Sequence, residues 1–183
     1  AFKRAREGGI VVVCAAGNSG LNNDLSAHYP SGFLLDNIIT VANTTRTDAL
    51  ATSSDYSSGL TDLGAPGTSI VVAGHTSDTG YGVASGTSLA APHVSGAVAL
   101  LRTRFPNETH REIINRLLRS VDALPALAGR TATGGRLNLA AALRSTSARP
   151  FHDDFARRAV LAGELVTARS GSQGASRETG EPV

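Results

Sequence analysis

Two short apolar runs constrain the fold of this chain more than any other feature. Residues 10–16 read IVVVCAA and residues 37–43 read NIITVAN, and both contain several β-branched side chains. A strand with one solvent-exposed face would alternate between apolar and polar positions, and neither run does so regularly. Continuous apolar strands are typical of parallel sheets that are covered by helices. The two runs therefore predict an α/β fold with a parallel sheet flanked by helices.

Helical patterns precede and follow these strands. Residues 1–7 resemble the last turns of a helix that a pair of glycines stops. Residues 88–104 are apolar nearly all round, which predicts a buried central helix that another element approaches closely at Gly96. Thr109 and Glu112 have the spacing of a capping box and predict the start of a surface helix. Its apolar stripe consists of Ile113, Ile114, Leu117, Leu118 and Val121.

The remaining segments predict connections. Residues 46–67 are mostly Ser, Thr, Asp and Gly, and we expect a long loop there. The strings SIVVAG and YGVAS predict the two strands of a hairpin. Residues 134–143 predict a turn and a short final helix. After Arg144 the composition of the sequence changes, so we place a domain boundary near Thr146. Residues 1–145 would form one domain, and residues 146–183 would form a linker and the start of another domain.

Charge and composition exclude several classes of function. The net charge is +2 over 183 residues, and the arginines are dispersed, so we expect no nucleic-acid partner. No run of 18 apolar residues occurs, so we expect no membrane span. The single cysteine, Cys14, lies in an apolar run and is expected to be a buried small side chain. The chain opens without Met inside a helical pattern, and we interpret its start as a cut edge.

The string GTSLAAPHVSG, residues 86–96, carries the strongest chemical signal. A serine nucleophile needs a base and donors for an oxyanion, and a helix N-terminus offers free backbone N–H groups. Gly86 permits close approach by a substrate backbone, and Pro92 deprives the Ser88 carbonyl of its helical partner. The short string GTS alone would be read as a helix cap.

The longer string GTSLAAPHVSGAVALL resembles the nucleophile signature of the subtilisin-like serine proteases. Four more strings resemble family segments in the same order: VVVCAAGNSG, YPS with NIITVAN, LGAPG and GGRLNLAAA. The resemblance covers roughly residues 1–145. It implies a three-layer subtilisin-like fold, here without its N-terminal part, and a serine endopeptidase that acts on polypeptides.

The resemblance also implies roles for individual residues. Ser88 would be the nucleophile, Asn18 would donate to the oxyanion, and Thr87 would support Asn18. Tyr29 and Pro30 would be joined by a cis peptide bond. Residues implied in substrate binding are Ala15, Ala16 and Gly17 as a pocket wall, His28 as a tuning residue near the pocket base, and Gly86.

The family's Asp and His motifs do not occur in the sequence. The five histidines are His28, His75, His93, His110 and His152, and none is expected to be the catalytic base. His93 should point down its helix, away from Ser88. We therefore expect the base and its orienting Asp on a missing N-terminal part, and we expect this chain alone to be inactive.

Two other functions stay open at this point. An α/β-hydrolase would place Ser88 on a strand-to-helix elbow, with Ala90 where the motif has glycine. It would need a strand that leads directly into the serine. A non-catalytic protease-like module would bind peptides without cleaving them. The sequence upstream of Ala1 would discriminate this module from an enzyme.

The resemblance requires no cofactor. Family members often bind structural calcium through carboxylates and loop carbonyls. Asp24, Asp36 and Asp55 lie in loops but lack a ligand spacing, so we assign no metal site. The tail resembles the start of a segment found in large bacterial extracellular proteins. Together with the family resemblance, it implies an extracellular or cell-surface bacterial protein.

Overall fold

The computed structural model describes residues 1–74 and 78–146 of the chain. The predictions on His75, on His152 and on the segment that follows Thr146 lie outside the described residues. The helices are α1 (Phe2–Glu7), α2 (Thr87–Arg104), α3 (His110–Arg119) and α4 (Leu139–Arg144), with a 3₁₀ turn at Pro125–Leu127. The strands are β1 (Val12–Ala15), β2 (Ile38–Thr44), β3 (Leu63–Pro66), β4 (Ile70–Ala73), β5 (Tyr81–Ala84), β6 (Asp122–Ala123) and β7 (Gly135–Arg136).

The main sheet is mostly parallel. Its strand order is β1-β2-β3-β7-β6, and only the pair β6 and β7 runs antiparallel. Helix α2 packs on β1, β2 and β3, and helices α3 and α4 pack against α2. The predicted α/β class, with a sheet flanked by helices, is confirmed. Strands β4 and β5 form the predicted hairpin as a separate two-stranded sheet.

Strand β2 is the buried centre that its sequence predicts. All seven of its residues are buried. Ile39 and Val41 belong to the apolar cluster that includes α2, and the intervening Thr40 donates its hydroxyl hydrogen to the Ser31 carbonyl at 3.0 Å. Strand β1 differs from the prediction of burial on both faces, because only Cys14 among its four residues is buried. The reason is that β1 is the edge strand among the described residues.

Helix α2 is less buried than its composition predicts. One face, formed by Ala90, Val94, Ala97 and Leu101, packs into the core. The opposite face is open: Leu100 is 51% exposed, and no other described element comes within 4 Å of a Cβ placed on Gly96. The expected close approach at Gly96 therefore does not occur among the described residues. No helix in this part of the chain is long and apolar enough to span a membrane.

Helix α3 begins as predicted. The Thr109 hydroxyl accepts from the Glu112 N–H, and the Glu112 carboxylate accepts from the Thr109 N–H, so both halves of the capping box are present. Ile113, Ile114, Leu117 and Leu118 are buried as one stripe. The helix ends at Arg119, so the fifth residue of the predicted stripe, Val121, lies beyond it.

The prediction of a continuous loop over residues 46–67 is wrong at its end. Residues 63–66 form β3, which pairs in parallel with β2 from Val41 to Thr44. Gly64 and Pro66 disguise this strand in the sequence, because both residue types are unfavourable in strands. Gly64 is needed there, since a Cβ would lie 2.7 Å from Thr44 Cγ2 and 2.8 Å from Leu127 Cδ1.

Candidate active site

Ser88 is an exposed residue in the first turn of α2. The cap position, Gly86, provides no side-chain hydrogen bond, and its carbonyl accepts from the N–H groups of Leu89 and Ala90. In the described part of the chain, neither the Ser88 hydroxyl nor the Ser88 N–H has a hydrogen-bond partner. Pro92 lies inside the helix and has no N–H to offer the Ser88 carbonyl. The helix therefore begins with a hydroxyl and a donor that are both open to a ligand.

The segment after β3 fixes the start of α2. The Gly86 N–H donates to the Gly67 carbonyl at 2.8 Å. A Cβ on Gly67 would lie 2.6 Å from the Gly86 oxygen and 3.0 Å from Ala90 Cβ. Only glycine allows the two backbones to approach this closely. Gly67, the last residue of the LGAPG string, thus packs against the turn that carries Ser88. The sequence did not reveal this role.

Asn18, in the loop after β1, is held against the start of α2. Its Oδ1 accepts from the Thr87 N–H at 2.8 Å and from the Thr87 hydroxyl at 3.1 Å. A backbone N–H can only donate, so the side-chain atom that faces it must be the oxygen. The Nδ2 amide is left as a donor without a partner in the part of the chain described. The structure therefore brings the predicted Asn18, Thr87 and Ser88 to one place.

Thr87 is fully buried and links the two segments. Its hydroxyl lies 3.3 Å from both the Gly17 nitrogen and the Gly17 oxygen, in addition to its contact with Asn18. These bonds join residues that are separated by 69 or 70 positions in the sequence. Thr87 is thus in contact with Asn18, and its predicted role in supporting the oxyanion donor stays a prediction.

The residues predicted to bind substrate have different exposures. Ala15 ends β1 and is half-buried, whereas Ala16 and Gly17 are buried. Gly17 has a φ of 117°, a conformation that favours glycine. His28 is exposed, its Nδ1 lies 3.3 Å from the Ser31 hydroxyl oxygen, and Tyr29 is joined to Pro30 by the predicted cis bond. The roles of these residues in a pocket stay predictions.

The contacts of the described histidines are with groups other than Ser88. The His93 Nδ1 donates to the Leu89 carbonyl, one turn back, at 2.9 Å. The His110 Nε2 lies 3.7 Å from Asp36 Oδ1 in a cluster that also contains Arg111. Burial lowers the pKa of His110 below its usual value, although Asp36 opposes this effect. The His28 ring faces Ser31. The described part of the chain thus supplies a candidate nucleophile and oxyanion donors.

The loop carboxylates are bonded to protein groups. Asp24 accepts from the N–H groups of Ser58 and Gly59, Asp36 from the Arg111 guanidinium, and Asp55 from the N–H groups of Ser19 and Leu21. Within the residues described, no group of three or more His, Cys, Asp or Glu side chains is arranged to hold a metal ion.

Comparison with known proteins decides the family. The model of the subtilase family, Peptidase S8, matches residues 1–174. The chain belongs to the subtilase family. The predicted resemblance is thereby confirmed. The match extends beyond residue 145, and the domain boundary near Thr146 stays a prediction.

Named subtilases and a solved structure share this similarity. The extracellular serine proteinase of Thermus sp. strain Rt41A is 42% identical over 118 residues, which cover 64% of this chain and 28% of that protein. Subtilisin BL of Lederbergia lenta is 35% identical over 126 residues, which cover 68% of this chain and 43% of that protein. The A-subunit of the AB5 toxin from E. coli aligns with a TM-score of 0.69 at 25% identity, over 77% of this chain and 52% of that one. The chain thus spans less than half of the length of these two curated relatives.

The α/β-hydrolase alternative is wrong for this subtilase. That fold requires a strand of the central sheet to lead directly into the serine. Here the preceding strand, β5, pairs with β4 in the separate hairpin and, among the described strands, with none of the central sheet. Ser88 consequently lies in the first turn of a helix that follows a hairpin, and not on a strand-to-helix elbow.

Proposed function

We propose that the full-length subtilase that carries these residues is a serine endopeptidase and that Ser88 is its nucleophile. The observation that carries the proposal is the open start of α2. There, within residues 1–74 and 78–146, the Ser88 hydroxyl and N–H have no hydrogen-bond partner, while Asn18 is bonded to the adjacent Thr87. An enzyme that binds a polarised carbonyl needs such unused donors, because donors already paired within the protein stabilise no new charge.

The proposed reaction proceeds through an acyl-enzyme. Ser88 Oγ attacks the scissile carbonyl carbon, and a histidine outside this chain takes the hydroxyl proton. The Ser88 N–H and the Asn18 Nδ2 donate to the carbonyl oxygen as it becomes negative. The histidine then gives its proton to the leaving amine, and a water molecule hydrolyses the ester by the same steps. These steps require no cofactor.

Substrate preference is assigned to the residues around Ala15, Ala16 and Gly17. Their small size leaves room for a large apolar or aromatic side chain at the primary pocket, and we propose that the exposed His28 tunes that preference. The substitution His28→Ala in the full-length enzyme should change the preferred residue in a peptide library. An unchanged cleavage profile would remove His28 from the pocket.

We propose that the protein acts outside the cell or at the cell surface of a bacterium. The support is that relatives from Thermus and Xanthomonas campestris are named extracellular. Fractionation of a culture with an antibody to residues 1–145 tests this proposal. Recovery of the intact protein only from the cytosol would contradict it.

Replacing the serine hydroxyl tests the catalytic proposal. Ser88→Ala in the full-length protein should lower peptide hydrolysis by about a millionfold, the scale measured for the nucleophile of a subtilisin. Ser95→Ala is the matched control, since Ser95 lies in the same helix and its hydroxyl donates to the Ala91 carbonyl. Hydrolysis that survives in Ser88→Ala would contradict the proposal. Peptide binding without hydrolysis by the wild type would favour a non-catalytic module.

A further inference from the structure

We infer that Asp55 is a positioning residue that holds the oxyanion-donor loop, residues 17–21, and through it the Asn18 amide. The inference rests on the proposed function. Asp55 lies in the segment before β3, far from Ser88 in sequence, and the sequence marked it only as one of several loop acids. Its contacts instead converge on the backbone at both sides of Asn18.

Three hydrogen bonds join Asp55 to the oxyanion-donor loop. The Asp55 Oδ1 accepts from the Ser19 N–H at 2.8 Å and from the Leu21 N–H at 2.9 Å. The Asp55 N–H donates to the Gly17 carbonyl at 2.9 Å. Asp55 is only 4% exposed. Since an ionised acceptor forms stronger hydrogen bonds than a neutral one, the loop is clamped immediately before and after Asn18.

The fit between the loop and the carboxylate is also steric. A Cβ on Gly17 would lie 2.0 Å from Asp55 Oδ2 and 2.9 Å from Asp55 Cγ. The carboxylate therefore occupies the space that a side chain at position 17 would need. Together with the φ of 117°, this contact allows only glycine at the residue before Asn18.

Asn18 is held by Thr87 through its side chain and by the oxyanion-donor loop through its backbone. The residue is exposed, and Thr87 bonds only its Oδ1. The direction of Nδ2 therefore depends on the position of the loop backbone as well as on the bonds from Thr87. An oxyanion donor acts at about 2.7–3.1 Å from the developing charge, and a displacement of about 1 Å can cost on the order of a hundredfold in rate.

A second carboxylate in the same region provides a matched control. Asp24 accepts from the Ser58 N–H at 3.0 Å and from the Gly59 N–H at 3.2 Å. It thus caps a neighbouring turn of the loop that contains Asp55. No hydrogen bond joins the Asp24 carboxylate to residues 17–21 in the described structure. Asp24→Ala should therefore disturb local stability without moving Asn18.

Steady-state kinetics of the full-length enzyme test the inference. Asp55→Ala should lower kcat by about ten- to a hundredfold with KM within about twofold, because the oxyanion forms only after binding. Asp55→Asn should recover most of the activity, since its amide oxygen can accept from the same two N–H groups. Asp24→Ala should keep kcat within about twofold. If Asp55→Ala keeps the wild-type kcat while Ser88→Ala is inactive, the inference fails and the proposed function stands.

A double-mutant cycle separates positioning from general damage. In the Asn18→Ala background, Asp55→Ala should change kcat by less than about twofold, since the donor it positions is gone. An equal loss of kcat in both backgrounds would overturn the inference. Should Asp55→Ala fail to fold, Asp55→Glu serves in the same cycle, because it keeps the buried charge but pushes a longer side chain against Gly17. Hydrolysis that survives Ser88→Ala would instead contradict the proposed function itself.

Discussion

Helices α2 and α3 begin in opposite ways. At the start of α3, Thr109 and Glu112 satisfy each other's backbone N–H groups through adjacent side chains. At the start of α2, Gly86 offers no side chain, and the Thr87 N–H donates to Asn18, 69 residues away. The next N–H, that of Ser88, has no partner in the described part of the chain.

This difference separates a helix end that is capped by its own side chains from the one to which we assign the catalytic role. A capping box uses two backbone donors of a helix start, the cap N–H and the third helical N–H, to stabilise the helix. In the described part of the chain, the start of α2 leaves the Ser88 N–H and hydroxyl without partners, and long-range contacts with Gly67 and Asn18 hold this turn. The two ends should therefore respond differently to substitution.

The largest expected effect within the α2 start, after loss of Ser88 itself, is that of Asn18→Ala. The full-length enzyme should lose about 10²–10³ in kcat with little change in KM, as measured for the oxyanion asparagine of a subtilisin. Asn22→Ala is the control, because the Asn22 Oδ1 only accepts from the nearby Asp24 N–H. A rise in KM at constant kcat would show that Asn18 serves substrate binding instead.

Thr87→Val should have a smaller effect on activity. It removes the hydroxyl bonded to Asn18 and Gly17 but keeps the backbone N–H bond to Asn18. The loss of about one hydrogen bond corresponds to roughly a tenfold drop in kcat. Thr87→Ser, which restores the hydroxyl, should recover the rate. Failure of the serine variant to recover it would mean that the Thr87 methyl group, and not its hydroxyl, supports Asn18.

At the start of α3 the response should appear in stability alone. Thr109→Ala should reduce the free energy of unfolding by about 1 kcal/mol, because it removes the cap of the Glu112 N–H. The kcat should not change. Ser88→Ala should show the reverse, with unfolding unchanged to within about 0.5 kcal/mol. Urea unfolding and activity assays of the two variants measure this difference. An equal loss of unfolding free energy in both variants would contradict the contrast between the two helix starts.

The smallest effect concerns pH and His110, the first residue of α3. Burial is the main cause that lowers the pKa of His110, and Arg111 and Arg102 act in the same direction against Asp36. The unfolded chain therefore binds the proton more tightly than the folded one. The contribution of this group to stability is present above about pH 6.5 and is lost as the pH falls through that value towards the native pKa.

Thermal melting at a series of pH values measures this effect. The melting temperature should fall between about pH 7 and pH 5, and His110→Gln should reduce that slope because the titrating ring is gone. An identical slope in the variant would assign the pH dependence to other groups.

Local signals in the sequence predicted the start of α3 and the position of strand β2. Thr109 and Glu112 lie three positions apart, and the run that forms β2 is largely apolar by itself, so both could be identified without knowledge of the fold. Strand β3 could not, because it forms by pairing with Val41 to Thr44 and contains a glycine that only this packing requires.

The residues of the candidate site also differ in how far the sequence predicted them. The residues Asn18, Thr87 and Ser88 were found because their strings resemble those of a known family. Asp55 was not, since its contacts with Ser19 and Leu21 cross 36 and 34 residues and leave no local pattern. Likewise, the apolar composition of α2 predicted burial on all sides, whereas the described residues cover only one face.

Labelling with a fluorophosphonate probe tests most directly the claim that α2 begins with an activated nucleophile. We predict that the natural full-length protein reacts and that mass spectrometry places the phosphonyl group on Ser88. We predict no labelling of residues 1–183 alone, since the proposed base lies elsewhere. Labelling of a different serine in the full-length protein, with Ser88 unmodified, would contradict the claim.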